Sequence, residues 1–462
     1  MKESNPGYAV VSMYTKFDDI FVRQSHGRYT NLRWLCVWIT QLVFYGLPWL
    51  NWNQRSAVLF DLSTRKFYLF GLILFPQDFI YLALLLIICA YSLFLFTAVS
   101  GRVWCGFSCP QTVYTEIFLW IENKIEGSRS TRMRLAKQGL TAEKVMKKSA
   151  KHFVWGVFAL WTGFSFVAYF VPARTLMSET LNWTLGAWSL FWILFYGVAT
   201  YGNAGFMREQ ICRYVCPYAR FQGSMLDKDS LIVSYDKTRG EPRKRSADTA
   251  GQTGACVDCT MCVQVCPTGI DIRNGLQHDC IGCAACIDAC DSIMDKIRQP
   301  RGLIRFTTER AMQEGLSIQA IWQHIARPRV LIYSTILAMI IVGFISSLAT
   351  RIPLRMNVLR DRNVVGREVD QGAMENVYRL HIMNTDNKSH RYQVTVSGID
   401  GIQLLSRETL MLNPTESKTF PVTMRIPHGS VRPGLYPVHI DLQAEEDEAI
   451  QVHEVSSFNV PR

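Results

Sequence analysis

After Cys290 the chain has no cysteine, although 14 occur up to that point. That absence excludes a disulfide framework and a thiolate metal site from everything downstream. Histidine is missing from every long apolar stretch. Such stretches then lack the usual axial ligands of a membrane b-type haem, so no haem is expected. No base-reading motif accompanies the net charge of +11. The basic residues crowd beside the apolar stretches instead, which points to the lipid bilayer as partner and to no nucleic acid. Nor is a cleavable signal peptide apparent. The first apolar stretch follows a polar head without a small-residue cleavage site, so it is expected to be retained.

What is present is largely apolar: 49% hydrophobic and 12% aromatic residues, with 12 Trp. Five uncharged stretches approach or reach the roughly 17–25 residues that span a bilayer. They are residues 34–50, 79–99, 153–171, 185–201 and 330–349. The first contains Gln41 and Pro48. A sixth patch, residues 67–76, is too short to span and carries Gly71, so an interfacial or re-entrant piece is expected there. Trp49, Trp52, Trp183 and Tyr201, at the ends of the stretches, read as interfacial anchors. Cys36 and Cys89 lie inside stretches and read as small buried hydrophobes.

Lys and Arg set the expected orientation. Ten of them lie between the second and third stretches, from Arg102 to Lys151, against Arg174 alone in residues 172–182. The former segment is therefore expected in the cytoplasm and the latter outside, with Arg55, Arg65 and Lys66 less tidy on the outer side. Alternate crossings give a cytoplasmic N-terminus, a cytoplasmic cysteine-rich segment and an exported C-terminus. The thiols then all face the reducing compartment.

The strongest motif is Cys256-x2-Cys259-x2-Cys262-x3-Cys266-Pro267, followed by Cys280-x2-Cys283-x2-Cys286-x3-Cys290. In this doubled register three thiolates of each tight loop converge on one [4Fe–4S] cubane, and the remote fourth cysteine serves the other cluster. Cys256, Cys259, Cys262 and Cys290 are thus expected to hold one cluster, and Cys280, Cys283, Cys286 and Cys266 the second. Two structural zinc sites would use CxxC pairs separated by a longer loop, which this register does not match. Asp291 stands where the bacterial pattern has proline, a change expected to leave ligation intact. Gly269, Gly282, Ala284 and Ala285 let backbone N–H groups approach the cluster sulfurs and tune their potential.

A second motif is duplicated. Cys105-x3-Cys109-Pro110 and Cys212-x3-Cys216-Pro217 each follow two apolar stretches and an arginine, Arg102 or Arg208. If each pair lies on one helix, i and i+4 present both sulfurs on one face. Related by pseudo-symmetry, the four thiols would suit a soft metal such as Cu(I) or an extra iron–sulfur cluster.

Residues 237–254 are polar and basic and read as a flexible linker. Residues 307–327 place Leu316, Ile318, Ile321, Trp322 and Ile325 at helical spacing, which predicts one amphipathic helix on the membrane face. From Arg351 onward the period becomes two, as in Tyr378-x-Leu380-x-Ile382 and Tyr436-x-Val438-x-Ile440-x-Leu442. Turn clusters separate these runs, and about seven short strands in an Ig-like sandwich are expected.

Three segments carry a resemblance: residues 102–116, beginning Arg102-Val-Trp-Cys-Gly; Cys212-Arg-Tyr-Val-Cys-Pro-Tyr-Ala-Arg-Phe-Gln222; and Tyr235-Asp-x3-Gly240-Glu-Pro-Arg243. Together they resemble the CcoG/FixG/RdxA family of cytochrome c oxidase accessory proteins, over nearly the whole chain. The resemblance implies a bacterial inner-membrane location and reduction of Cu(II) to Cu(I) for assembly of cbb3-type oxidase. It also implies that Cys105, Cys109, Cys212 and Cys216 are copper-handling or electron-exit thiols, and that the partners are oxidase assembly factors or copper chaperones. The electron donor is left open, as a soluble carrier or a quinol.

The expected fold is multi-domain. A cytoplasmic segment (residues 1–33) precedes a four-span region with both CxxxCP motifs (34–220). A linker and bacterial-type 2[4Fe–4S] ferredoxin domain (221–306) follow, then an amphipathic helix and fifth span (307–350), which completes an α-helical membrane bundle. An exported all-β Ig-like domain (351–462) ends the chain. The expected activity is that of a cupric reductase. The competing readings are a quinol-coupled electron-transfer subunit without copper chemistry and a non-enzymatic assembly scaffold.

Overall fold

The computed structural model describes residues 20–53, 55–243, 254–316, 318–324, 326–360, 366–369, 372–406 and 408–461. It divides into two compact units, Met1–Trp49 with Leu86–Ala338, and Leu50–Leu85 with Met339–Arg462.

Each of the five apolar stretches lies on a helix. These are α1 (Arg28–Gly46), α2 (Phe79–Ser100), α4 (Ala142–Val167), α5 (Ala187–Gly202) and α8 (Pro328–Ala349), with α3 (Pro110–Glu126) between α2 and α4. Among the described residues two helices are long and apolar enough to cross a membrane, Pro76–Ser100 and Pro328–Ala349. The other three fall short for local reasons. α1 opens on Arg28 and Arg33, the first half of α4 carries Lys144, Lys147, Lys148 and Lys151, and α5 has 16 residues. On α2 the apolar side chains Phe79, Ile80, Leu82, Leu86 and Ile87 point outward rather than into a core, and Cys89 is exposed with them, not buried as its small apolar character suggested.

The cysteine-rich segment is closed at its ends by two short antiparallel strands, Ile232–Tyr235 and Ile304–Thr307, with Tyr235 opposite Ile304. Val233, Tyr235, Leu303 and Ile304 of this ribbon are buried with Ile287 and Met294 of α7 (Ala285–Lys296). The linker begins with a single helical turn, Lys237–Gly240, and its centre lies outside the described residues.

The single amphipathic helix expected after this ribbon is instead two short ones, Glu309–Glu314 and Ile318–Gln323. Thr308 caps the first, and Gly315 ends it with φ +67°, a left-handed conformation that glycine takes without a Cβ clash. Positions 317 and 325 lie outside the described residues.

In the second unit the C-terminal region forms two antiparallel sheets. Its strands are β1 (Leu354–Arg360), β2 (Met374–Asn384), β3 (His390–Ser397), β4 (Gln403–Leu404), β5 (Thr409–Leu412), β6 (Ser417–Ile426), β7 (Gly434–Ala444) and β8 (Gln451–Val460). The orders are β4-β6-β2-β1 and β5-β3-β7-β8, with Arg367–Glu368 paired to β2. Alternation places Tyr378, Leu380, Ile382, Val394, Met424 and Ile440 between the sheets, none more than 2% exposed.

The patch at residues 67–76 is extended chain rather than a re-entrant helical piece. It supplies two strands, Lys66–Leu69 and Leu72–Leu74, to a three-stranded meander with Val58–Asp61. A tight turn makes this possible: the Asp61 carboxylate accepts hydrogen bonds from Ser63 and Thr64, which reverse the chain. Asp78, buried at the start of α2, pairs with Arg351 and Arg355, both at 2.6 Å. An Asp78→Ala substitution leaves the Arg351 guanidinium buried without its counter-charge. The expected loss is about 3 kcal/mol, seen as a lowered thermal unfolding temperature of the full chain in detergent.

Candidate metal centre

The two cysteine loops fold alike. In each, the residue before the second cysteine and the residue after it have positive φ: Asp258 and Thr260 in the first loop, Gly282 and Ala284 in the second. These left-handed residues curl each loop so that successive N–H groups face inward, the concave arrangement that accepts anionic sulfur. The N–H groups of Gly282 and Ala285 favour the anionic forms of Cys280 and Cys283 and offset in part the rise that burial causes.

The thiols gather in two sets. Cys256, Cys259, Cys262 and Cys290 line one small cavity with Tyr235, Arg273 and Met294. Cys266, Cys280, Cys283 and Cys286 line another with Val233, Ile270 and Ile272, and Cys262 touches this one too. The structure therefore brings each remote fourth cysteine to the opposite loop, and sets the two cavities side by side.

Burial pushes these thiols up, Cys262 to about 11 and Cys283 and Cys290 to about 12. Cys286 stands well above the ordinary thiol value for the same reason, with Cys283, Cys280 and Cys266 crowding it further. Left as thiols they are neutral; only bound metal makes four buried thiolates favourable, by displacing the protons. Among the described residues no three Cys, His, Asp or Glu side chains are close enough to hold a single ion. Four sulfurs around each cavity at wider spacing suit an iron–sulfur cluster, which would bring one-electron transfer to the site.

Each CxxxCP motif straddles a break between two helices, not one continuous helix face as the i, i+4 spacing suggested. Cys105 lies in the short helix Val103–Phe107, and Cys109 is the N-cap of α3. Cys212 lies in a π-helical turn, Ile211–Val215, and Cys216 is the N-cap of α6 (Pro217–Met225). Cysteine followed by proline has a simple cause here. Proline at the first helical position loses no hydrogen bond, because that N–H has no partner in any helix. At the N-cap the Cys109 thiol is pushed up by burial, a rise that the nearby backbone N–H groups of Gln111 and Thr112 offset in part.

The break does not keep the four thiols apart. Cys105 feels both Cys109 and Cys212, and Cys109 feels Cys216. Burial first, and then these neighbours, raise Cys105 to about 12 and Cys212 to about 11. Cys105 Sγ also lies 3.5 Å from Gln222 Oε1, which is fully buried.

Contacts join this thiol group to the second cluster loop. A Cβ on Gly106 would stand 2.7 Å from both Cα and N of Cys283, so the two backbones touch. Arg102 donates to the carbonyls of His278, Cys280 (3.2 Å) and Ala219 (3.2 Å). Arg213 donates to Thr268 O at 3.2 Å and pairs with Asp279 at 3.0 Å. Both motif copies are thereby pinned to the cysteine-rich segment.

Charged residues brace the surroundings. The Asp288 carboxylate, from α7, accepts Tyr29 N–H (3.1 Å), Thr30 N–H (2.7 Å) and the Thr30 hydroxyl (2.7 Å), capping α1 where Gly27 has no side chain to do so. Asp288→Ala is expected to cost about 1–2 kcal/mol, and hydrogen exchange should show the first turn of α1 opening selectively.

Glu122 accepts from Arg208 at 2.6 Å and pairs with Arg132 at 3.3 Å. Burial alone would push its carboxyl up; Arg208, Lys151 and Arg132 outweigh that and hold it below the ordinary glutamate value. Because the folded value is the lower one, this stabilisation is complete above about pH 4.3. It disappears as pH falls through the folded value. Unfolding measured from pH 6 to 3 is expected to show a steeper acid loss in the native chain than in Glu122→Gln.

Three family descriptions match the chain. Residues 82–127 match a 4Fe-4S binding domain, 207–309 a 4Fe-4S dicluster domain, and 344–461 the IG-like fold at the C-terminal of FixG. Protein RdxB of Cereibacter sphaeroides is 38% identical over 405 residues, covering 85% of each chain. Protein RdxA of the same organism is 39% identical over 401 residues, again 85% of each. Nitrogen fixation protein FixG of Rhizobium meliloti is 34% identical over 498 residues, 97% of this chain and 94% of that one. The chain belongs to the FixG/RdxA family. It is an iron–sulfur electron-transfer protein whose C-terminal sandwich is the family's Ig-like domain.

Several residues of this centre carried no role in the sequence reading. Tyr235 sits over the first cavity, its phenol facing Cys256 and donating to Glu241 at 3.3 Å. Arg273 lines the same cavity and is held by Asp258 and Asp271. Gln222 and Gly106 join them. Tyr235, Gln222 and Gly106 belonged to the three resembling segments; nothing in the spacing marked Arg273, and the role of each arises from contacts distant in sequence.

Proposed function

We propose that the protein passes single electrons from two [4Fe–4S] clusters to Cu(II), giving Cu(I) for assembly of cbb3-type cytochrome c oxidase. Cys256, Cys259, Cys262 and Cys290 hold one cluster, and Cys266, Cys280, Cys283 and Cys286 the other. Cys105, Cys109, Cys212 and Cys216 take copper as substrate, and copper chaperones or oxidase assembly factors receive it. One observation carries this reading: Gly106, the neighbour of Cys105, touches the backbone of the cluster cysteine Cys283, and the thiols of the two motifs lie within electrostatic reach of one another in pairs. Soft sulfur favours Cu(I) over Cu(II), so the site would assist the reduction it receives electrons for.

The chain crosses the bacterial inner membrane about five times, with the clusters cytoplasmic and the Ig-like domain exported. The outward apolar side chains of α5 (Trp188, Phe191, Trp192, Phe195) and α4 (Phe153, Val157) support that placement, since lipid is the solvent that covers such faces.

The test uses purified, pre-reduced protein, Cu(II) and a Cu(I)-specific chelator. Stoichiometric Cu(I) is expected as the clusters reoxidise, with the rate at least tenfold lower in Cys105→Ser and Cys216→Ser chains that keep both clusters. Cluster reoxidation without Cu(I), or equal rates in those variants, rejects the copper step.

A further inference from the structure

A cavity of about 800 Å³ lies between α1 and α3, apart from the cluster cavities. That is within the range of small-molecule sites. Its wall is mixed. Trp34, Trp38, Trp120 and Leu42 line it, and so do Arg33, Glu116 and Arg132. Val265 and Pro267, the residues on either side of Cys266, also line it. Arg33 is close enough to Cys283 for its charge to act on that thiol.

The arginines of this wall have hydrogen-bonding capacity left over. Arg33 pairs with Glu116 at 2.9 Å, yet its Nε has no partner among the described residues, although the side chain is only 7% exposed. Arg132 pairs with Glu122, and its Nε is likewise without a partner at 2% exposure. Buried donors left unmet cost free energy unless something accepts from them. Both guanidinium charges are already matched by carboxylates, so the remaining donors suit a neutral oxygen better than a phosphate.

We propose that this cavity binds an isoprenoid quinone or hydroquinone, with the ring oxygens at Arg33 and Arg132 and the tail along Trp34, Trp38 and Trp120. A flat ring with oxygens at its edge and an apolar tail matches a wall that carries both unmet donors and exposed apolar side chains. Its position beside Cys266 makes it a site of electron entry. A hydroquinone that leaves as quinone gives up two electrons and two protons. Two one-electron centres account for the electrons, and the protons leave past Glu116 and His26, which line the same cavity. This deepens the electron-transfer reading by naming the class of donor, but binding does not depend on the copper step.

The test is photolabelling of the full chain in detergent with an azido-quinone, followed by peptide mapping. Label is expected within residues 34–42 and 117–124, and excess decylubiquinone should compete it away. Leu42→Trp, at a residue 67% exposed on the cavity wall, fills the space without displacing a buried neighbour. It should lower labelling at least tenfold. Arg33→Lys keeps the charge opposite Glu116 but removes the Nε donor, and should weaken competition by a similar factor. Unchanged far-ultraviolet dichroism and cluster absorption show that either variant is folded. Label elsewhere, label insensitive to decylubiquinone, equal labelling of Leu42→Trp, or a co-purified phospholipid that the quinone does not displace would each overturn the proposal. None of these outcomes bears on Cu(I) formation, so the two readings fail separately.

Discussion

A Cys286→Ser chain is expected to lose about four iron atoms of about eight, one whole cubane. Cys286 is surrounded by Cys266, Cys280 and Cys283, and burial has already pushed its thiol well above the ordinary value. A serine hydroxyl in that dry setting is harder still to ionise, so it cannot replace the thiolate. Metal binding in such a pocket is also folding free energy, and the loop 280–290 should become accessible to protease as the iron departs. The pairing of cysteines sharpens the expectation. Cys266→Ser should remove the same cluster as Cys286→Ser, although Cys266 lies in the other loop. Cys290→Ser should remove the opposite cluster and spare this one. Iron and sulfide analysis with EPR of the reduced variants reads all three. If Cys266→Ser and Cys290→Ser each removed the cluster of their own loop, the crossed arrangement would be wrong.

A Gly106→Val chain is expected to keep its iron and yet reduce Cu(II) at least tenfold more slowly. Even one added carbon at this position would stand 2.7 Å from Cα and N of Cys283. Neither atom can swing aside as a flexible side chain would, because both belong to the backbone that shapes the cluster loop. Overpacking of this kind costs about 1–3 kcal/mol. Relief comes from moving the helix Val103–Phe107 outward, and Cys105 travels with it. Cluster absorption and the rate of Cu(I) formation, measured on the same preparation, separate this decoupling from simple unfolding. Loss of iron along with activity would mean that Gly106 supports the cluster loop rather than the route out of it.

The grouping of the thiols around two cavities was legible because a repeated three-residue spacing fixes which thiols a tight loop can bring together. The sandwich was legible because period-two alternation places Tyr378, Leu380 and Ile382 on one face whatever their partners. The helix break inside each CxxxCP motif was not, since i, i+4 spacing reads as a continuous helix. Seen from the structure, that proline starts the next helix and makes the second cysteine its N-cap. The meander over residues 58–74 was missed because its strands are three or four residues long and mostly apolar, and so read as a membrane patch. The cavity between α1 and α3 could not be read at all. The place of Arg33 in it depends on an ion pair with Glu116, 83 residues away, and on an Nε without a partner among the described residues.

Metal analysis with Mössbauer and EPR spectroscopy of the full chain, purified without oxygen, tests the central claim most directly. Two cubanes predict about eight iron and about eight acid-labile sulfide per chain, and two interacting paramagnets on reduction. Zinc in place of iron, or iron without sulfide, would contradict the account.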